Sequence, residues 1–223
     1  MYYGLFLVSL LITALAQFYV NVSYNKYNKI NLSSGETGAD IARTILDKAG
    51  LKDVSVYETS GFLSDHYHPS KKAVFLSSKN YYGSSIGSAS VAAHECGHAI
   101  QHKEGYIFMN IRSAIVPFVN FASYLGYIAI TLGFILELFD LIWLGILAEC
   151  AILGFQLVTL PVEFNASSRA LNILKTGSYL TEKEINGSKT VLRAAALTYV
   201  ASVATNLIEI FRLVLLAGGR RND

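Results

Sequence analysis

Charge is scarce in this chain. Asp, Glu, Lys and Arg make up 15% of its 223 residues, against roughly 25% in an ordinary soluble domain. Cysteine is limited to Cys96 and Cys150, at no spacing that suggests a bridge, so a disulfide scaffold and a cysteine-built zinc site are excluded. Three prolines, with no repeat and no low-complexity tract, exclude a collagen-like fibre and a disordered chain. The net charge of +2 lacks the basic excess of a nucleic-acid binder, and no nucleic-acid partner is expected. What is present is apolar: 52% hydrophobic residues, with a mean hydropathy of +0.40. The pattern is that of a membrane protein with one modest polar domain.

The gaps between charges locate the membrane segments. No charge precedes Lys26, and Tyr2 to Val20 is long enough for one crossing. The run lacks the basic flank of a signal peptide, which favours an uncleaved anchor. Ser113 to Leu136 gives 24 uncharged residues, about 36 Å of helix. Leu141 to Val162 is broken only by Glu149. With the acidic link Glu137–Asp140 between them, the two runs read as a transmembrane hairpin. All 18 basic residues lie outside Ser113–Ser168, so the positive-inside rule puts the hairpin turn outside and both flanking polar regions in the cytoplasm. Ala194 to Ile208 is a shorter uncharged stretch, flanked by Arg193 and Glu209, and is expected to lie against the bundle or in the interface, with a fourth crossing left open.

Within the polar stretches, Thr37 to Ala49 has helical periodicity with Thr37 and Asp40 at capping-box spacing. Val54–Glu58 and Ala73–Ser77 read as strands, with a third short one inside Gly61–Pro69. Ser85 to His102 reads as a helix, as does Val162 to Lys175, and Thr181 with Glu184 opens another.

The chemistry sits at His94-Glu95-Cys96-Gly97-His98, an H-E-x-x-H on the predicted helix 85–102. Positions i and i+4 share a face, so two imidazoles can converge on one Zn2+, with Glu95 beside them as base. Zinc needs a third protein ligand. His102 lies about 12 Å along the axis from His94, too far to share the ion. His66 and His68 are candidates, and Glu137, Asp140 and Glu149 lie in or across the membrane. Glu163 is the preferred choice: it follows the hairpin on the side of the His helix, and small Ala166, Ser167 and Ala170 permit close packing. His66, Tyr67 and Arg169 are candidates to stabilise an oxyanion, Asp65 and His66 are open to a turn role or a site role, and Ala73–Ser77 is weighed as an edge strand for an extended peptide.

Three stretches together resemble the YugP-type family of bacterial membrane zinc metallopeptidases, itself similar to HtpX-like gluzincins. They are Gly61-Phe62-Leu63-Ser64-Asp65-His66-Tyr67-His68-Pro69, Val91 to Gln101 around the H-E-x-x-H, and Leu160-Pro161-Val162-Glu163-Phe164-Asn165-Ala166-Ser167. The resemblance covers nearly the whole chain. It implies His94, His98 and Glu163 as ligands of one catalytic Zn2+, Glu95 as base, and residence in a bacterial cell membrane. HtpX-like proteins carry E-x-x-A-D where this chain has Ser167 as the last residue.

The expected fold class is a mainly α membrane protein with a small α+β zincin-like metallopeptidase domain. The expected layout is an N-terminal anchor (1–22), a first part of the peptidase domain (36–112), a transmembrane hairpin (113–160) inserted between the H-E-x-x-H helix and the third-ligand helix, a second part (161–190), and an apolar membrane-associated helix (191–217). The expected function is a membrane-bound zinc endopeptidase with its catalytic domain on the cytoplasmic face. Its partners are the lipid bilayer and a peptide or membrane-protein substrate, and no oligomeric state is specified. The alternative is a non-catalytic, zinc-stabilised membrane scaffold or regulator. An intact Glu95 and an open three-ligand set argue against it.

Overall fold

The computed structural model describes residues 2–177 and 179–220. Met1 of the expected anchor and Ser178 within 161–190 lie outside the described residues. Seven helices and one sheet are described, in the order α1 (Tyr2–Tyr27), α2 (Gly38–Lys48), β1 (Ser55–Thr59), β2 (His66–His68), β3 (Ala73–Ser77), α3 (Ser78–Tyr81), α4 (Ile86–Lys103), α5 (Ile107–Ile135), α6 (Phe139–Thr176) and α7 (Glu182–Arg220). The chain divides into two compact units. One holds residues 1–17, 110–161 and 197–223; the other holds 18–109 and 162–196.

In the first unit the helices are apolar, and the membrane-facing demand for small residues at close crossings is met by glycine. A Cβ on Gly126 would lie 2.6 Å from that of Ala148, and one on Gly145 would lie 2.2 Å from Ile130. These contacts hold α5 and α6 as an antiparallel pair. The turn between them uses Glu137 at φ 57°, with Leu138 N–H donating to Gly133 O at 2.9 Å. Ile142, Ile146, Leu213 and Ala217 form the buried core of this unit. Helices α1, α5, α6 and α7 are all long and apolar enough to cross a membrane.

In the second unit a three-stranded sheet has the order β1-β3-β2, with β1 parallel and β2 antiparallel to β3. Helix α2 begins as the sequence suggests: Thr37 and Asp40 form a reciprocal capping box. Its apolar face, Ile41, Ile45 and Leu46, joins Val74 and Leu76 of β3 and Ala89, Ala92 and Ala93 of α4 in one core. Asp65 ties the end of β3 to α3. Its Oδ1 accepts from Ser77 N–H at 2.7 Å, and its Oδ2 accepts from Asn80 at 3.0 Å.

Two expectations need correction. Ala73–Ser77 is the central strand, paired on both sides, and has no free edge to offer a peptide. Glu163 does not start a helix: α6 runs unbroken from Phe139 to Thr176 through Pro161, whose missing N–H forgoes the bond to the Leu157 carbonyl without ending the helix. The segment 191–217 lies within the 39-residue helix α7, where Leu213 and Ala217 pack against Ile142 and Ile146 of α6, and α7 is long and apolar enough to cross a membrane.

The first turn of α7 is tied to the loop after α1 through Glu184. One carboxylate oxygen accepts from Ser33 N–H at 2.8 Å and from Ser33 Oγ at 2.6 Å; the other accepts from Thr181 N–H and Oγ1, both at 2.7 Å. Burial opposes ionisation, but the hydrogen bonds from Ser33 and Thr181 outweigh it and hold the Glu184 carboxyl at about 2. A depressed carboxylate stabilises the fold above its unfolded pKa, near about 4.3, and loses that contribution as pH falls through the folded value. Glu184→Ala is expected to cost about 1–3 kcal/mol at pH 7. The deficit should shrink as pH is lowered from about 4.3 towards 2, as read from thermal melts of both proteins across that range.

Candidate metal centre

Helices α4 and α6 can meet closely because Gly97 has no side chain. A Cβ there would lie 2.9 Å from the Ala166 carbonyl oxygen and 3.3 Å from its Cα. Ala93, Ala166 and Ala170 at the same crossing are fully buried. This brings His94 and His98, one turn apart on α4, up to Glu163 on α6.

The three side chains converge. One possible ligand atom from each lies within 4.8 Å of the other two. His94 Nε2 is 3.2 Å and His98 Nε2 is 3.6 Å from the same Glu163 oxygen. The two imidazoles meet edge to face, with centroids 4.7 Å apart. Glu163 is 2% exposed, so its charge needs partners. Burial opposes its ionisation, but hydrogen bonding with His94 and His98 prevails and holds its carboxyl below the usual range. Glu95 is buried next to them. Burial pushes its carboxyl up; His94 and His98 pull it back, while Glu163 and Asp65 add to the rise. Among the described residues no other group of three or more His, Cys, Asp or Glu side chains gathers in this way.

The other nitrogen of each histidine is engaged. Ser167 Oγ is 3.2 Å from His94 Nδ1, and Gln101 Oε1 is 3.0 Å from His98 Nδ1. Gln101 Oε1 can only accept, so His98 Nδ1 donates to it, while the Ser167 hydroxyl pairs with His94 Nδ1. Gln101 is fully buried, and its Nε2 donates to Val162 O and to Asn165 Oδ1, each at 2.9 Å. Arg169 Nε donates to the same Asn165 oxygen at 2.7 Å, and its guanidinium pairs with Glu104 at 2.7 Å. Sequence reasoning missed Gln101 in this role. The available signal was a glutamine three residues after the second histidine, one turn along the same face.

The remaining candidates lie elsewhere. The His66 ring stacks on Phe75 at 4.8 Å, and His68 Nδ1 accepts from Lys71 N–H at 3.3 Å. Neither joins the group of three. The Tyr67 hydroxyl bonds to His102 Nδ1 at 2.8 Å. Tyr67 and Arg169, both considered for an oxyanion, therefore have structural partners in this state.

Two imidazoles and one carboxylate, oriented by outer hydrogen bonds and beside a second buried carboxyl, suit a zinc ion held by three protein ligands. Gln101→Leu should remove the acceptor that orients His98. It is expected to lower zinc affinity about 10–100-fold, measured by competition with a chromogenic chelator. A smaller loss is expected from Ser167→Ala, because water can replace a hydroxyl at the more exposed His94.

Residues 2–218 match the family described as "Putative neutral zinc metallopeptidase". A relative from Bacillus subtilis (strain 168), described as "Putative membrane protease YugP", is 48% identical over 208 residues, which cover 93% of this chain and 92% of that protein. No solved structure matches the chain. A match of this extent, carried by a chain whose two histidines and glutamate converge across α4 and α6, places the protein in that zinc metallopeptidase family.

Proposed function

We propose that this protein is a membrane-bound zinc endopeptidase that cleaves proteins at the membrane surface. The observation that carries this reading is the convergence of His94, His98 and Glu163 with Glu95 buried beside them. In this reading His94, His98 and Glu163 hold one Zn2+. Bound in such a site, zinc supplies a Lewis acid that acidifies water and polarises a carbonyl.

The chain's own residues do the rest. Glu95 takes a proton from the attacking water and returns it to the leaving amine. Its burial supports this role, because a carboxyl shielded from bulk water holds a proton more readily. Gln101 and Ser167 keep both histidines in the tautomer that offers Nε2. An extended peptide would pair with β2, the outer strand packed on α4, since β3 is enclosed.

The site belongs on the cytoplasmic face in this reading, with the lipid bilayer as a partner and membrane proteins or their exposed tails as substrates. The chain between His98 and Glu163 contains two apolar helical runs, so it leaves the membrane on the side where it entered. No Lys or Arg lies from Ser113 to Ser168, while ten basic residues precede this interval and eight follow it.

Glu95→Gln should keep zinc and lose nearly all cleavage of a casein or membrane-protein substrate. Zinc-loaded E95Q cleaving at the wild-type rate would rule out the base assignment. Glu163→Ala, His94→Ala and His98→Ala should each lose zinc on dialysis, while His66→Ala and His68→Ala keep it; full occupancy in E163A would exclude Glu163 as a ligand.

Topology has its own check, in intact cells carrying a variant without Cys96 and Cys150. A cysteine near Phe139 should react with an impermeant reagent from outside, and cysteines near Lys72 and Lys175 should not. Labelling of the latter two from opposite sides would be incompatible with a shared metal.

A further inference from the structure

Two donors of the Arg169 guanidinium are committed, and both tie it to the crossing of α4 and α6. Nη2 pairs with Glu104, the residue that caps the C-terminal end of α4, at 2.7 Å. Nε donates to Asn165 Oδ1 at 2.7 Å, one turn back along α6. Both side chains of the ion pair reach solvent, Arg169 at 26% and Glu104 at 51% exposure, and an ion pair so placed adds little to stability. Its consequence lies in what it holds.

From Arg169 to His98 each hydrogen bond has a single possible direction. A guanidinium only donates, so the Asn165 atom facing Nε is the carbonyl oxygen. The same oxygen accepts from Gln101 Nε2 at 2.9 Å, as does the Val162 carbonyl at 2.9 Å. Gln101 is fully buried. With its nitrogen held by two acceptors, its Oε1 faces His98 Nδ1 at 3.0 Å. An amide oxygen only accepts, so Nδ1 carries a proton and Nε2 is the nitrogen that remains for a metal. Asn165 is the link that can turn. Half a rotation of its amide would set an NH2 group against the NH2 of Gln101. The Val162 carbonyl has no such freedom, because it belongs to the α6 backbone. A neighbour that donates and never accepts denies Asn165 that rotation, and Arg169 is such a neighbour.

We propose that Arg169 is a positioning residue of the metal centre: it holds Asn165 with its oxygen towards Gln101, and through that amide it fixes the proton on His98 Nδ1. Glu104 steadies the guanidinium from the other helix, so the relay begins and ends on α4 with α6 between. A buried ligand is thereby oriented by a charged group that solvent can reach. Arg169 touches neither the metal ligands' Nε2 atoms nor Glu95 in this arrangement and acts through Gln101 alone. The inference deepens the zinc reading and rests on it. His94 stands outside the relay, since its Nδ1 pairs with Ser167, and so serves as a reference within the same molecule.

The test uses the full chain in lipid nanodiscs, loaded with zinc and isotopically labelled at the histidine nitrogens. Two quantities are read: zinc affinity, by competition with a chelator, and the rate at which each histidine Nδ1–H exchanges with water, by NMR. Arg169→Met is expected to weaken zinc binding about three- to tenfold, below the loss expected for Gln101→Leu, which removes the direct partner. It should speed exchange at His98 Nδ1–H and leave His94 unchanged. Asn165→Leu removes the same acceptor without touching the ion pair, and should match Arg169→Met in both readings. A carboxylate accepts whichever way it turns, so Arg169→Met made together with Asn165→Asp should lose most of its effect. Unchanged affinity and His98 exchange in Arg169→Met and Asn165→Leu would overturn the proposal. So would a rise in exchange at both histidines together, or an Arg169→Met effect that persists in full beside Asn165→Asp. Failure of the wild-type chain to bind zinc would instead overturn the metal reading, and the proposal with it.

Discussion

The contact between two helix backbones at Gly97 and Ala166 is the constraint on which the convergence of His94, His98 and Glu163 depends. Histidines one turn apart on a single helix cannot by themselves bind zinc in a tripod, and the third donor must come from another element. Glu163 reaches them because nothing larger than a hydrogen stands between α4 and α6 at that point. The hydrogen bonds then act on a spacing that the glycine makes possible. Gln101 bridges the same crossing, with one end on His98 and the other on the Val162 carbonyl and Asn165. Helix spacing and imidazole orientation are therefore coupled through one buried amide.

The metal centre also shows which parts of such a site can be read from sequence. The spacing of His94, Glu95 and His98 on a helix is local, and a period of 3.6 residues is enough to place them on one face. Glu163 is 65 positions from His98, and it was preferred because a hairpin between them would return the chain to its starting side. The capping boxes of Thr37 and Thr181 were legible for the same local reason. Gln101 and Ser167 were not, since a polar residue on a helix gives no sign of its partner until the neighbouring helix is in place. Strand order was beyond local reading too. Ala73–Ser77 is apolar at nearly every position, as suits a strand covered on both edges, but that pattern does not state which strands cover it.

Long helices blurred the expected boundaries. A proline at 161 and a change from apolar to mixed composition suggest a new helix beginning at Val162. The backbone instead continues, because one missing N–H in a 38-residue helix is a local loss that the surrounding turns absorb. The same holds for α7, where the paired charges Glu209 and Arg212 shortened the apparent apolar run. An ion pair three residues apart on one face offsets much of the cost that two separate charges would impose.

Cys96 lies inside the metal-binding motif, one position from Glu95 and two from each histidine, yet it takes the opposite face of α4. Its thiol is fully buried against Ala42, whose carbonyl lies 3.5 Å from Sγ, and burial together with Glu95 pushes the thiol well above its usual range. A thiol that keeps its proton neither ligates soft metals nor reacts readily with oxidants. The centre therefore presents only nitrogen and oxygen donors. Cys96 is thereby withheld from the group that His94, His98 and Glu163 form, although it sits in the turn between the two histidines.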